Sequence, residues 1–121
     1  MGKSVLIVDD SASMRQMLKF TLQKAGFAVA EGSDGREGLK QLASARPDLI
    51  ITDLNMPNMD GLDFIRGVRA QSGFRATPIL MLTTESEDGK KQAGKAAGAT
   101  GWIVKPFQPE RLLQVIARVL P

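Results

Sequence analysis

Three aspartates, a threonine and a lysine carry the chemistry open to this chain: Asp9 and Asp10, Asp53, Thr83 and Lys105. Each stands at or just after the end of a short apolar run: VLIV before Asp9, LII before Thr52-Asp53, ILML before Thr83 and WIV before Lys105. Three carboxylates brought together repel one another, and at least one is pushed toward its protonated form unless a cation joins them. Donors that are all oxygen select a hard ion such as magnesium, held by one or two carboxylates with water completing the shell. Such an ion and Lys105 could neutralise a phosphoryl group arriving in line with an aspartate oxygen, a transfer in which a protein supplies mainly positioning and charge stabilisation. The residue types point to an aspartate that accepts a phosphoryl group. Taken one at a time they have plainer readings: Asp9-Asp10 as a helix cap, Thr83 as an ordinary strand-end threonine, Lys105 as a surface lysine.

The elements that must position these residues follow from periodicity and punctuation. Leu49, Ile50 and Ile51 form a continuous apolar run, the pattern of a strand buried on both faces. After Asp53, Pro57 cannot continue a ladder and Asp60-Gly61 marks a turn, so residues 55–61 are loop. Similar runs predict further strands over 5–8, 27–31, 79–82 and 100–104. Between them, Ser11 or Ser13 caps a helix whose stripe is Met14, Met17, Leu18, Thr21, Leu22 and Ala25, ended by Gly26. Asp34 with Glu37 reads as a capping box for a second helix carrying Leu39, Leu42 and Ala43. A third helix is predicted from about 62 to 70, with Ile65 and Val68 facing in. A fourth, over 85–98, is acidic at its start and basic later, but Gly89 and Gly94 each weaken it by about 1 kcal/mol. Pro109 opens the last, whose inner face is Leu112, Leu113, Ile116, Val119 and Leu120.

Five strands alternating with five helices force parallel pairing through right-handed crossovers, hence an α/β, doubly wound sheet covered on both faces. Ligands of such sheets bind beyond the carboxyl ends of the strands. If the second strand lies at an edge, as in the order 2-1-3-4-5, the ends bearing Asp9-Asp10, Asp53, Thr83 and Lys105 converge.

Composition removes most competitors. The 121 residues carry a formal net charge of +3 and contain neither cysteine nor histidine. Thiol catalysis, disulfides, serine–histidine triads and zinc sites built on these residues are excluded. Lysine and arginine are scattered and there is no tyrosine, so nucleic-acid binding is not expected. The first residues, MGKSVLIVDD, are neither a signal peptide nor a membrane span, and a cytoplasmic protein is expected. Residues 89–96 match the GxxxxGK phosphate-loop pattern, but Ala96 stands where a magnesium-binding hydroxyl is needed. A flavin site is equally poor, because Asp9-Asp10 in the first loop would repel a phosphate.

Asp9-Asp10, Asp53 followed by Asn55-Met56-Pro57 and Asp60-Gly61, Thr83, and Lys105-Pro106-Phe107 together resemble the receiver domain of two-component response regulators, over essentially the whole chain. The resemblance implies a single flavodoxin-like (βα)5 domain over 1–121, sheet order 2-1-3-4-5, without an output domain, most similar to the stand-alone chemotaxis regulators. It implies that Asp53 takes phosphate from a sensor histidine kinase or a small donor. Asp10, Asp53 and the Asn55 backbone carbonyl would bind Mg2+, with Asp9 acting through water. Lys105 would pair with Asp53 and then with the phosphoryl oxygens, and Thr83 would swing onto the phosphoryl group. A cis Lys105-Pro106 bond is expected, as is tuning of dephosphorylation by Asn55 and Glu85.

Trp102 departs from the family, which carries tyrosine or phenylalanine there, turning inward as the threonine moves; packing on the outer side of the fifth strand is the alternative. The expected partners are the kinase and a downstream target such as a flagellar motor switch protein, bound through residues 86–120, with the protein monomeric. Lys90, Lys91 and Lys95 are either part of that surface or simply a solvated helix face. The protein would be a signalling switch rather than an enzyme. A non-chemotaxis relay, an aspartate-nucleophile phosphohydrolase and a receiver-like module that is never phosphorylated are the alternatives.

Overall fold

The central apolar runs become strands because they are buried from both sides: every residue of β3 (Leu49–Asp53) and β4 (Ile79–Thr83) is buried. A computed structural model describes residues 3–84 and 88–120. The remaining strands are β1 (Ser4–Val8), β2 (Ala28–Gly32) and β5 (Gly101–Val104). The five form one parallel sheet in the order β2-β1-β3-β4-β5, as expected, with β2 at an edge. Register brings the carboxyl ends level: Val8 lies opposite Thr52, Asp53 opposite Leu82, and Thr83 opposite Val104.

Alternation along the strands splits the core in two. Val5, Ile7, Leu49, Ile51, Leu80 and Leu82 face α1 (Ala12–Lys24) and α5 (Pro109–Val119), meeting Leu18, Leu22, Leu112 and Ile116. Leu6, Val8, Ile50, Ile79 and Met81 face the other way, toward Leu42 of α2 (Gly35–Ala45) and Phe64, Ile65 and Val68 of α3 (Gly61–Ala70). Fully buried side chains of this size contribute roughly 1.5–3 kcal/mol each, so both layers hold the sheet. The remaining helix, α4 (Asp88–Ala97), lies on this second face, where Gly94 packs so closely on Met81 that a Cβ would collide with its sulfur. No helix among the described residues is long and apolar enough to cross a membrane.

Local chemistry explains the ends. Ser11, not Ser13, caps α1 by accepting from the Met14 amide, and Gly26 follows the helix at φ +98°. Asp34 caps α2 through the Glu37 amide; the Glu37 carboxylate accepts from the amide and hydroxyl of Ser33 rather than from the Asp34 amide, one residue off the reciprocal box. Asp60 is more than a turn residue: it caps α3 through the Asp63 amide, which starts the helix at Gly61 instead of 62. β2 runs one residue later than expected, and Thr100 lies outside β5, where its hydroxyl accepts from the Ile79 amide. A 3-10 turn over Ser72–Phe74 had no periodic signal to announce it. Of the fourth predicted helix, residues 85–87 lie outside the described residues.

Candidate functional site

The β1–α1 turn delivers Asp9, which is only 1% exposed, to the end of the sheet. Its Oδ1 accepts from the Ser11 amide at 2.8 Å, while its buried Oδ2 has no partner among the described residues. The turn is clamped from outside. Arg15 donates from Nη1 to the Asp9 carbonyl at 2.6 Å and from Nε to Glu31 at 3.3 Å, and Lys19 reaches the same Glu31 at 3.2 Å. Asp10, next along, is exposed. β3 delivers Asp53, 6% exposed, whose Oδ1 accepts from the Leu54 amide and from Lys105 Nζ, both at 2.8 Å. Lys105 follows β5, directly before a cis bond to Pro106, and its amide donates to the Thr83 carbonyl at 2.6 Å. Thr83 ends β4 fully buried, with its hydroxyl unpartnered among the described residues.

One oxygen from each of Asp9, Asp10 and Asp53 falls within 4.8 Å of the others. Crowding has the expected electrostatic result. Burial, first, and then the negative charges of Asp53 and Asp10 hold Asp9 above its ordinary pKa of 3.8, against the pull of the Ser11 amide and Lys105. The donor set is all oxygen and one buried carboxylate oxygen lacks a hydrogen bond among the described residues, which fits a small hard cation such as magnesium.

Asp9, Asp10, Asp53, Thr83 and Lys105 thus gather at one end of the sheet as their strand positions predict. Asn55 lies on the loop beyond β3, and its Oδ1 accepts from Lys90 Nζ at 2.6 Å. Glu85 lies outside the described residues. Trp102 packs on the outer side of β5, 40% exposed, with the Lys91 ammonium 5.6 Å from its ring centroid. Two of the three α4 lysines therefore lie against groups of this chain, so a purely solvated helix face describes only part of the stretch. Sequence reasoning passed over Gly61: a Cβ there would collide with the Asp53 carbonyl oxygen, and its amide donates to the Leu54 carbonyl at 2.8 Å. The loop folds back on β3 only because that residue has no side chain. The Asp-Gly pair signalled the turn but not this approach.

Comparison with known proteins agrees with the geometry. The profile of the response regulator receiver domain matches residues 5–117. Chemotaxis protein CheY1 of Helicobacter pylori is 42% identical over 118 residues, 96% of this chain and 95% of that protein. The alkaline phosphatase synthesis transcriptional regulatory protein PhoP of Bacillus subtilis is 39% identical over 119 residues, but this chain spans only 48% of it. The solved structure of the chemotaxis response regulator CheY4 of Vibrio cholerae superposes with a TM-score of 0.94 at 57% identity, over 99% of this chain and all of that one. With the sheet order, the acid cluster and the lysine contact already in place, the chain belongs to the response regulator receiver domain family.

Proposed function

We propose that Asp53 accepts a phosphoryl group in a magnesium-dependent reaction and that the resulting charge switches the affinity of residues 86–120 for a partner. The observation that carries this reading is the 2.8 Å contact of Lys105 Nζ with Asp53 Oδ1, between residues 52 apart in sequence. A buried acid held against a lysine at the mouth of the sheet is placed to exchange one charge partner for another.

The residues divide the work. The Leu54 amide and Lys105 both donate to Oδ1, so the second Asp53 oxygen is the one open to attack on phosphorus. The new bond joins that oxygen to phosphorus as the phosphorus–nitrogen bond of a kinase phosphohistidine, or the phosphorus–oxygen bond of acetyl phosphate, breaks; the leaving imidazole takes up a proton. Magnesium, held by Asp10, Asp53 and the Asn55 carbonyl with Asp9 assisting through water, would supply charge neutralisation between the carboxylates and the incoming oxygens. Lys105 then follows the charge onto a phosphoryl oxygen. The buried Thr83 hydroxyl, unpartnered among the described residues, gains an acceptor within reach of β4, and Trp102 on the neighbouring strand reports the rearrangement. Phosphorylation adds about −1.5 to −2 charges, enough to bias a two-state surface once locally paired.

The partners proposed are a sensor histidine kinase of the CheA type and a chemotaxis target such as a flagellar motor switch protein. The full-length match to chemotaxis regulators supports that assignment. Similarity of the same region to PhoP favours, as a second reading, a relay outside chemotaxis.

Fluorescence of Trp102, the single tryptophan, tests the mechanism. With magnesium, acetyl phosphate or beryllofluoride is expected to change its emission, and Asp53→Asn to abolish the change and the phosphate adduct seen by intact mass. Wild-type protein that stays unmodified with both kinase and small donor would exclude the mechanism.

A further inference from the structure

Lys90 is not a residue that strand-end chemistry would single out, yet its Nζ reaches Asn55 Oδ1 at 2.6 Å, across 35 residues of sequence. Asn55 stands two residues beyond Asp53. Both side chains are on exposed residues, so core packing does not force the contact. A lysine gives up considerable rotamer freedom to hold one geometry, and a charge-assisted bond of this length offsets that loss.

The bond fixes more than distance. An ammonium only donates, so the group facing Lys90 must be the carboxamide oxygen, and the amide nitrogen is presented on the other side. Loss of a phosphoryl group from an aspartate requires a water molecule opposite the aspartate oxygen. The water oxygen bonds to phosphorus, the bond from phosphorus to the aspartate oxygen breaks to leave the carboxylate, and both water protons leave with the phosphate. A neighbouring oxygen can accept from that water and aim its lone pair at phosphorus, whereas an amide NH2 can only donate to it.

We infer that Lys90 is a positioning residue for Asn55: by occupying the carboxamide oxygen it withholds an acceptor from the attacking water and prolongs the phosphorylated state. The inference rests on the proposed acceptance of phosphate by Asp53. It also separates Lys90 from Lys91, whose ammonium lies over Trp102 instead.

The full chain is loaded with acetyl phosphate and magnesium, freed of donor, and followed for release of inorganic phosphate. Lys90→Met should shorten the half-life by about threefold to tenfold, the scale of one ordinary net hydrogen bond at an exposed site. Lys90→Arg, which still donates, should restore most of it. In an Asn55→Ala background, Lys90→Met should have no further effect. Before any phosphorylation, the Asn55 side-chain amide signal in a nitrogen–proton NMR spectrum should shift in Lys90→Met and return in Lys90→Arg. An unchanged half-life in Lys90→Met, or equal shortening with and without Asn55, overturns the inference while leaving Asp53 as acceptor. Absence of phosphate on wild-type Asp53 by intact mass removes the acceptor reading and this inference with it.

Discussion

Helices α3 and α4 have the same length, ten residues, and lie on the same face of the sheet, yet they are anchored very differently. α3 buries Gly61, Phe64, Ile65 and Val68, begins with a side-chain cap from Asp60, and fixes the loop beyond Asp53 through Gly61. α4 buries only Gly94 among its described residues; Ala97 packs partly buried against the same core, and two long lysine side chains reach Asn55 and the Trp102 ring. Apolar burial is strong and nondirectional, whereas exposed polar contacts are weak and readily exchanged. The Asp53 side is therefore held rigidly, and α4 can shift at smaller cost. A phosphorylation switch needs that division: a site whose geometry does not give, beside a surface that does.

The sharpest test of the contrast compares one substitution in each helix. Phe64→Ala should cost about 3–5 kcal/mol of global stability in urea denaturation, the range for a fully buried aromatic. Ala96→Gly, at an exposed position in the last turn of α4, should cost about 1 kcal/mol, its helix propensity alone. Equal losses would mean that α4 is as firmly packed as α3, and the contrast would fail.

A second test uses charge. Because Asp9 titrates above 3.8 in the folded protein, the native state binds its proton more tightly than the unfolded chain does. Stability contributed by that proton is full below the unfolded value and is lost as pH rises through the folded one. Without divalent cations, Asp9→Asn should therefore raise stability at neutral pH and flatten this fall, read from urea midpoints between acid and neutral pH. Hydrogen exchange should slow in β1, β3 and α3 while α4 stays as it was. Uniform slowing would show that the two regions open together.

The smallest expected effect on stability belongs to Gly94→Ala. Alanine favours the helix by about 1 kcal/mol, but its Cβ must displace the Met81 side chain, and overpacking costs a comparable amount. The net change should stay within about 1 kcal/mol, while the displaced helix carries Lys91 away from Trp102 and alters its emission. An unaltered emission spectrum would mean that α4 absorbs the methyl group without moving.

How legible these features were depended on whether their cause is local. That Asp9, Asp10, Asp53, Thr83 and Lys105 stand at strand ends was foreseeable, because apolar runs ending in polar residues mark where buried strands emerge; the edge position of β2, which brings those ends together, followed only from the family resemblance. Contacts made by long side chains were not. Nothing near Arg15 announces that it holds the Asp9 carbonyl, and nothing near Arg69 announces that it spans the carbonyls of Phe74, Thr77 and Gly98. Gly61 and Asp60 were read as a turn, since the collision that makes Gly61 necessary involves backbone placed by the fold.

By itself, the sequence determined the alternation of strands and helices, the Asp34 cap of α2 and the residue types at each strand end, because periodicity and capping act over a few residues. Only the tertiary structure decided that one Asp9 oxygen has no partner among the described residues and that Lys90 turns to Asn55 while Lys91 turns to Trp102, and it gave the expected Lys105–Asp53 pair its geometry. Those outcomes depend on strand order, register and the reach of side chains across neighbouring elements, and no local stretch of the chain encodes them.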